Sequence, residues 1–141
     1  MKIVLASYWE PENHGPGRKI GISPSKPRNL QEERGYDCDL TYPDLSPGQL
    51  YWDYFSAKKA ASNDEELKEA GKVFVSGFVT YLEELKQEIL AAVESHNTTV
   101  FKLMGLQDGD TLLSWEKEGH LTYRMHVANF LRELGYEVDE K

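Results

Sequence analysis

Seven residues near the amino end, Lys2-Ile3-Val4-Leu5-Ala6-Ser7-Tyr8, are apolar from Ile3 through Ala6, without the alternation of a half-exposed strand. A strand of that character is buried on both faces, and such strands belong to parallel sheets covered by helices. This one segment excludes most all-helical and open antiparallel folds. A second short run, Thr111-Leu112-Leu113-Ser114-Trp115, reads as a similar strand. At 141 residues the chain has room for one core, so residues 1–141 are expected to form one domain.

The intervening sequence supplies the covering elements. Residues 12–18, with two glycines and a proline, form a turn, and residues 19–23 alternate as a second strand stopped by Pro24 and Pro27. Residues 28–45 are polar and turn-rich and read as an irregular connection. Ser46-Pro47-Gly48-Gln49 has the pattern of a capping box, which predicts a helix over 47–61. Asn63 or Asp64 can cap the next helix, where Phe74, Phe78, Tyr81 or Leu82, Leu85, Ile89 and Val93 recur at steps of three and four. Thr98 or Thr99 opens a short helix through Met104, and residues 107–110 turn into the strand at 111–115. A helix over 121–134 closes at Gly135, and residues 136–138 form a last strand. The expected fold is α/β: a mostly parallel sheet flanked by helices in a Rossmann-like three-layer arrangement.

Charge narrows the partners. Sixteen Lys and Arg against 24 Asp and Glu give a net charge of −8, which repels phosphate backbones and argues against non-specific nucleic-acid binding. The segment 13–31 is the exception: it has no acidic residue and carries +4 through Arg18, Lys19, Lys26 and Arg28, while the rest, with twelve basic and 24 acidic residues, carries −12. Such a local positive surface suits a compact anion. No apolar run approaches the roughly 20 residues of a membrane span, and the opening apolar run is too short for a secretory signal. Cys38 is the only cysteine, which excludes an internal disulfide and fits a reducing, cytoplasmic setting. The oligomeric state is left open.

In sheets of this kind ligands sit beyond the carboxyl ends of the strands, beside helix N-termini whose free N–H groups favour anions. Leu112-Leu113-Ser114-Trp115-Glu116-Lys117-Glu118-Gly119-His120-Leu121-Thr122-Tyr123-Arg124 passes from a strand through a charged loop into a helix. It puts Glu116 just past a strand end and Thr122, Tyr123 and Arg124 in a first helical turn. A guanidinium there can grip a carboxylate or phosphate at two points, or form an ion pair with Glu116. Tyr8 and Trp9, at the end of the first strand, and Tyr123, at a helix start, are the aromatic residues best placed to meet a ligand.

Ser7-Tyr8-Trp9, then Ile20-Gly21-Ile22-Ser23 with Pro27, then Leu45-Ser46-Pro47, then Leu112-Leu113-x-x-Glu116 leading to Arg124, occur in an order that resembles domain-of-unknown-function family 488 across residues 2–135. That family has bacterial, archaeal and phage members. Its members read Leu-Leu-Cys-x-Glu before the loop and Cys-His-Arg at the helix start. By this resemblance the corresponding positions are Ser114 and Thr122-Tyr123-Arg124, so both cysteines and the histidine are replaced. Neither Ser nor Thr ionises near pH 7 without a neighbouring base. The resemblance therefore implies a divergent member that has lost any thiol chemistry of the family.

Three functions compete. The first is binding of a small anionic, nucleotide-like molecule by Tyr8, Arg18, Ser23, Lys26, Arg28, Ser114, Thr122, Tyr123 and Arg124. The second is an enzyme acting on a nucleotide or nucleic-acid-related substrate, with Glu116 as general acid or base and Arg124 steadying negative charge. The third is a phage-type protein-interaction domain acting through an acidic helical face such as Glu83, Glu84 and Glu88. No metal site is expected, because His120 and His126 are six apart and the four histidines read as surface residues. No cofactor is expected either: Gly15-x-Gly17-x-x-x-Gly21 misses both the dinucleotide and the P-loop spacing and reads as a turn, though its N–H groups with Arg18 offer an anion a place. The first function is the expectation carried forward.

Overall fold

A computed structural model describes residues 1–115 and 123–141. Five strands, β1 (Lys2–Ser7), β2 (Lys19–Gly21), β3 (Leu40–Thr41), β4 (Thr111–Ser114) and β5 (Glu137–Glu140), form one sheet in the order β3-β2-β4-β1-β5 with every pairing parallel. Five helices accompany them: α1 (Leu30–Arg34), α2 (Gln49–Ala60), α3 (Asp64–Ser95), α4 (Val100–Met104) and α5 (Arg124–Glu133). The chain is α/β, as the first strand demanded. Among the described residues no helix is long and apolar enough to cross a membrane.

β1 has both faces covered, but unequally. Ile3 and Leu5, with Ile20, Ile22 and Leu112, face a large core supplied by Tyr51 of α2, Phe74, Phe78 and Leu82 of α3, Met104 of α4 and Val127 and Leu131 of α5. Ala6, with Leu113 and the neighbouring Tyr8, faces a thin layer made of Leu30 of α1, Trp9, Tyr36, Cys38 and Trp115. The three layers are therefore a thick helical one, the sheet, and a thin cover built mostly of loop residues.

The helix boundaries have local causes. Asn63 caps α3 by accepting the Glu66 N–H at 2.9 Å, and the Glu66 carboxylate returns to the Ser62 N–H at 2.7 Å. The apolar stripe then buries Phe74, Phe78 and Leu82 and half-buries Leu85 and Ile89. Thr99 caps α4 through the Lys102 N–H at 3.2 Å.

Elsewhere the structure departs from the sequence reading. α2 begins at Gln49 rather than at Pro47, because the Ser46 hydroxyl accepts the Gly48 N–H at 3.2 Å and Gly48 takes φ +56°, a turn that only then releases the chain into a helix. No capping box forms, since the Gln49 amide reaches Asp53 instead, at 2.9 Å. The expected irregular connection at 28–45 contains α1 and β3. α1 has five residues bracketed by left-handed Asn29 and Gly35, and β3 has two residues held by pairing to β2. Neither is long enough to show a period. α5 starts at Arg124, and Gly135 follows its end with φ +100°.

Candidate functional site

The strand order fixes where a crevice opens. From β1 the chain crosses past β4 to reach β2, and from β4 it crosses past β1 to reach β5. Adjacent strands whose connections leave in opposite directions mark the switch point of a parallel sheet, and the gap there lies over their carboxyl ends. The residues at that edge are Ser7, Tyr8 and Trp9 after β1, Ser114 and Trp115 after β4, Ile22 and Ser23 after β2, and Tyr123 and Arg124 opening α5.

Ser7 and Ser114 stand opposite each other in register, and both are buried. The Ser7 hydroxyl accepts the Trp9 N–H at 3.2 Å. The Ser114 hydroxyl is fully buried and has no hydrogen-bond partner among the described residues. The two strand ends are tied across the gap by Trp9, whose Nε1–H donates to the Trp115 carbonyl at 2.7 Å while the Arg34 guanidinium lies 5.5 Å from its ring centre. The Trp115 indole N–H is likewise buried without a partner among the described residues.

The tyrosines at this edge are anchors. Ser23 donates to the Ser25 carbonyl at 2.6 Å, so the 2.9 Å contact between Tyr8 and Ser23 has the phenol as donor. Tyr36 donates to the Tyr8 carbonyl at 2.7 Å. Burial pushes the Tyr8 phenol well above its ordinary pKa, so it stays neutral. Gly21 makes room for this ring, because a Cβ there would collide with the Tyr8 hydroxyl. The fully buried Tyr123 donates to the Ile22 carbonyl at 3.0 Å and meets Tyr51 and Phe78 edge-on. Both phenols pin β2 to its neighbours.

The structure thus brings Tyr8, Ser23, Ser114, Tyr123 and Arg124 to one edge, while Arg18 does not converge on it. Arg18 lies at the amino end of β2, the far side of the sheet. Its guanidinium grips Asp110 at 2.7 and 3.1 Å and also donates to the Gly105 carbonyl at 3.0 Å. Asp110 is fully buried, and such a two-point grip is a structural lock. Lys26 is exposed and paired with Asp37 at 2.7 Å, and Arg28 is exposed. Glu116 and Thr122 lie outside the described residues. The glycine turn is also committed internally: the Gly15 N–H reaches Thr111 Oγ1 at 2.8 Å and the Gly17 N–H the Gly109 carbonyl at 3.1 Å, which leaves neither donor for an anion. Glu83 pairs with Lys86 at 3.0 Å and accepts from Gln87 at 3.2 Å, so part of the acidic face is neutralised within its own helix.

Three residues of this region were not legible as site residues. His14, expected at the surface, is half-buried: Nε2 is 2.9 Å from the Ser7 carbonyl, Nδ1 has no partner among the described residues, and the ring meets Tyr36 edge-on at 4.8 Å. Burial lowers its pKa, which favours the neutral ring. Tyr36 and Cys38 come from the stretch read as irregular. Among the described residues no group of three or more His, Cys, Asp and Glu could hold a metal ion.

Cys38 packs beside Tyr8, and burial first, then the negative charge of Asp37, push its thiol up to about 11. The folded protein is therefore expected to react slowly with iodoacetamide at pH 8 and the urea-unfolded chain much faster, as followed by mass spectrometry. The sign for stability follows from the same shift: folding favours the thiol, so this contribution is complete below the ordinary cysteine pKa near 9 and is lost as pH rises toward 11. Equal alkylation rates in the two states would contradict this packing.

No protein-family model matches the sequence, and no curated protein or solved structure matches it either.

Proposed function

We propose that this chain binds a small anionic, nucleotide-like molecule at the carboxyl edge over β1 and β4, as a catalytically reduced relative of domain-of-unknown-function family 488. The observation that carries the reading is the Ser114 hydroxyl, fully buried and without a partner among the described residues at the switch point of the sheet. A buried hydroxyl left unpaired costs about 1–3 kcal/mol, and a bound anion would offset that cost by completing the hydrogen bond. Arg124 adds positive charge in the first turn of the ten-residue α5, where the helix dipole also favours an anion.

A binding role fits better than a nucleophilic one. Ser114 stands where the resembling family carries cysteine, and among the described residues no imidazole hydrogen-bonds to it. Without a base its hydroxyl donates and accepts hydrogen bonds but does not attack. Arg18 is committed to Asp110 on the amino side of the sheet and Lys26 is paired with Asp37, so the anion would be held by a few donors rather than by a broad positive surface. That favours one phosphate or carboxylate over a polyanion.

Calorimetric titration with nucleotides and phosphosugars tests the proposal. Saturable binding is expected, weakened about tenfold, or ~1.4 kcal/mol, by Arg124→Ala. Ser114→Ala is expected to weaken binding while raising the unfolding free energy of the ligand-free protein by about 1 kcal/mol, because it removes an unsatisfied buried group. Absence of binding across the panel, or a Ser114→Ala protein that is less stable than its parent, would overturn it.

A further inference from the structure

α2 and α3 form a hairpin joined by residues 61–63, and its inner side reaches the core through Tyr51, Phe74 and Phe78. Along α2 and the first third of α3 the same two helices border an open groove of about 430 Å³, far in sequence from the strand-end site. Short side chains line it at Ala57, Ala60 and Ala70, and its apolar wall includes Val73, which is 60% exposed. Apolar surface held in contact with water in this way is surface that another body would bury.

The charges that line the groove have one sign. Its charged lining residues are Asp53, Glu66 and Glu69. The lysines of the same two segments, Lys58, Lys59, Lys68 and Lys72, are exposed and do not belong to the lining. Gln49 donates to Asp53 and the Ser62 N–H to Glu66, but neither contact neutralises a carboxylate.

We propose that the α2–α3 groove docks a basic amphipathic helix of a partner protein, its apolar stripe lying over the alanines and its Lys or Arg side chains meeting Asp53, Glu66 and Glu69. Two packed helices present a furrow into which the side-chain ridge of a third fits, and alanines let that third helix approach closely. A second copy of this chain fits poorly, because a symmetric contact would set the same three carboxylates against one another in a chain of net charge −8. The surface is independent of the ligand site, so either proposal can fail alone.

The probe is a fluorescently labelled synthetic helix of about 18 residues, long enough to be helical when bound, with leucines at steps of three and four and lysines elsewhere. A leucine–glutamate peptide of the same pattern is the control. Anisotropy titrations of the full chain are expected to show saturable binding of the lysine peptide that weakens with added salt, and none of the glutamate peptide. Ala57→Trp, which fills the groove from an exposed position, and Asp53→Lys with Glu69→Lys are each expected to weaken binding about tenfold or more. Val73→Ser is a milder second variant, and circular dichroism shows that each variant is folded. Lysine-peptide binding that survives both Ala57→Trp and Val73→Ser overturns the proposal, since it reports only the net negative charge. Binding of both peptides alike, or of neither, also overturns it. So does a concentration-dependent dimer in sedimentation that Ala57→Trp abolishes, because the groove then holds a second copy.

Discussion

Phe78→Ala is expected to lower the unfolding free energy by about 3–5 kcal/mol, the usual cost of deleting a fully enclosed aromatic ring. Phe78 is completely buried in α3, with Phe74, Tyr81 and Tyr123 around it at ring-centre distances of 6.1, 6.2 and 5.7 Å. Through Tyr123 it supports the residue that pins β2 at the carboxyl edge. The cavity left behind cannot be filled by the sheet, whose facing residues Ile3, Leu5 and Leu112 are themselves fully buried. For a domain that is stable by roughly 5–15 kcal/mol this is a large fraction of the total. Urea denaturation should show an earlier midpoint with an unchanged slope, and the melting temperature should fall by about 10 °C or more. Phe78→Leu, which keeps most of the volume, should lose less than half as much. If the two variants proved equally stable, the ring would not occupy the centre of the core.

Arg18→Ala is expected to cost about 2–3 kcal/mol. Removing one partner of a buried ion pair typically costs 3–5 kcal/mol because the other charge is stranded, and the figure is reduced here because the Arg18 side chain is 30% exposed. Asp110, whose side chain is only 1% exposed, would keep the Gln107 N–H at 2.7 Å and lose both guanidinium contacts. Arg18→Lys should recover only part of the loss, since an ammonium cannot match the two-point grip. Binding at the carboxyl edge should be unchanged in a folded Arg18→Ala protein, because the pair closes the amino side of the sheet. Chemical denaturation and ligand titration of the same variant separate the two effects. A variant of native stability would mean that Asp110 does not depend on this cation.

The outcome at Arg18 shows where sequence reading succeeded and where it stopped. The helical period in α3 is visible because one face of 32 residues is sampled many times, and the unbroken run of β1 is visible because two-sided burial leaves no polar position. Charge clustering at 13–31 is also real in sequence, but linear proximity does not say which end of a strand a side chain reaches. Arg18 and Ser23, five residues apart, end on opposite sides of the sheet because β2 runs between them. Asp110, which decides the role of Arg18, is 92 residues away and looks in sequence like an ordinary turn aspartate. β3 and α1 are too short to carry a pattern, and the roles of Tyr36, Cys38 and His14 depend on the thin layer that those elements organise.

The order of the strands bears on how this molecule is made. β1 is synthesised before both of its neighbours, β4 and β5, with Val4 opposite Thr111 and Leu5 opposite both Leu112 and Glu140. While a ribosome builds the chain, the α2–α3 hairpin can close from nearby residues, but β1 must wait, with its amides unmatched, until β4 and β5 have emerged. Such long-range parallel pairing is slow and exposes sticky edges. The apolar run from Ile3 to Ala6 is therefore left without a companion until residues far along the chain have been made.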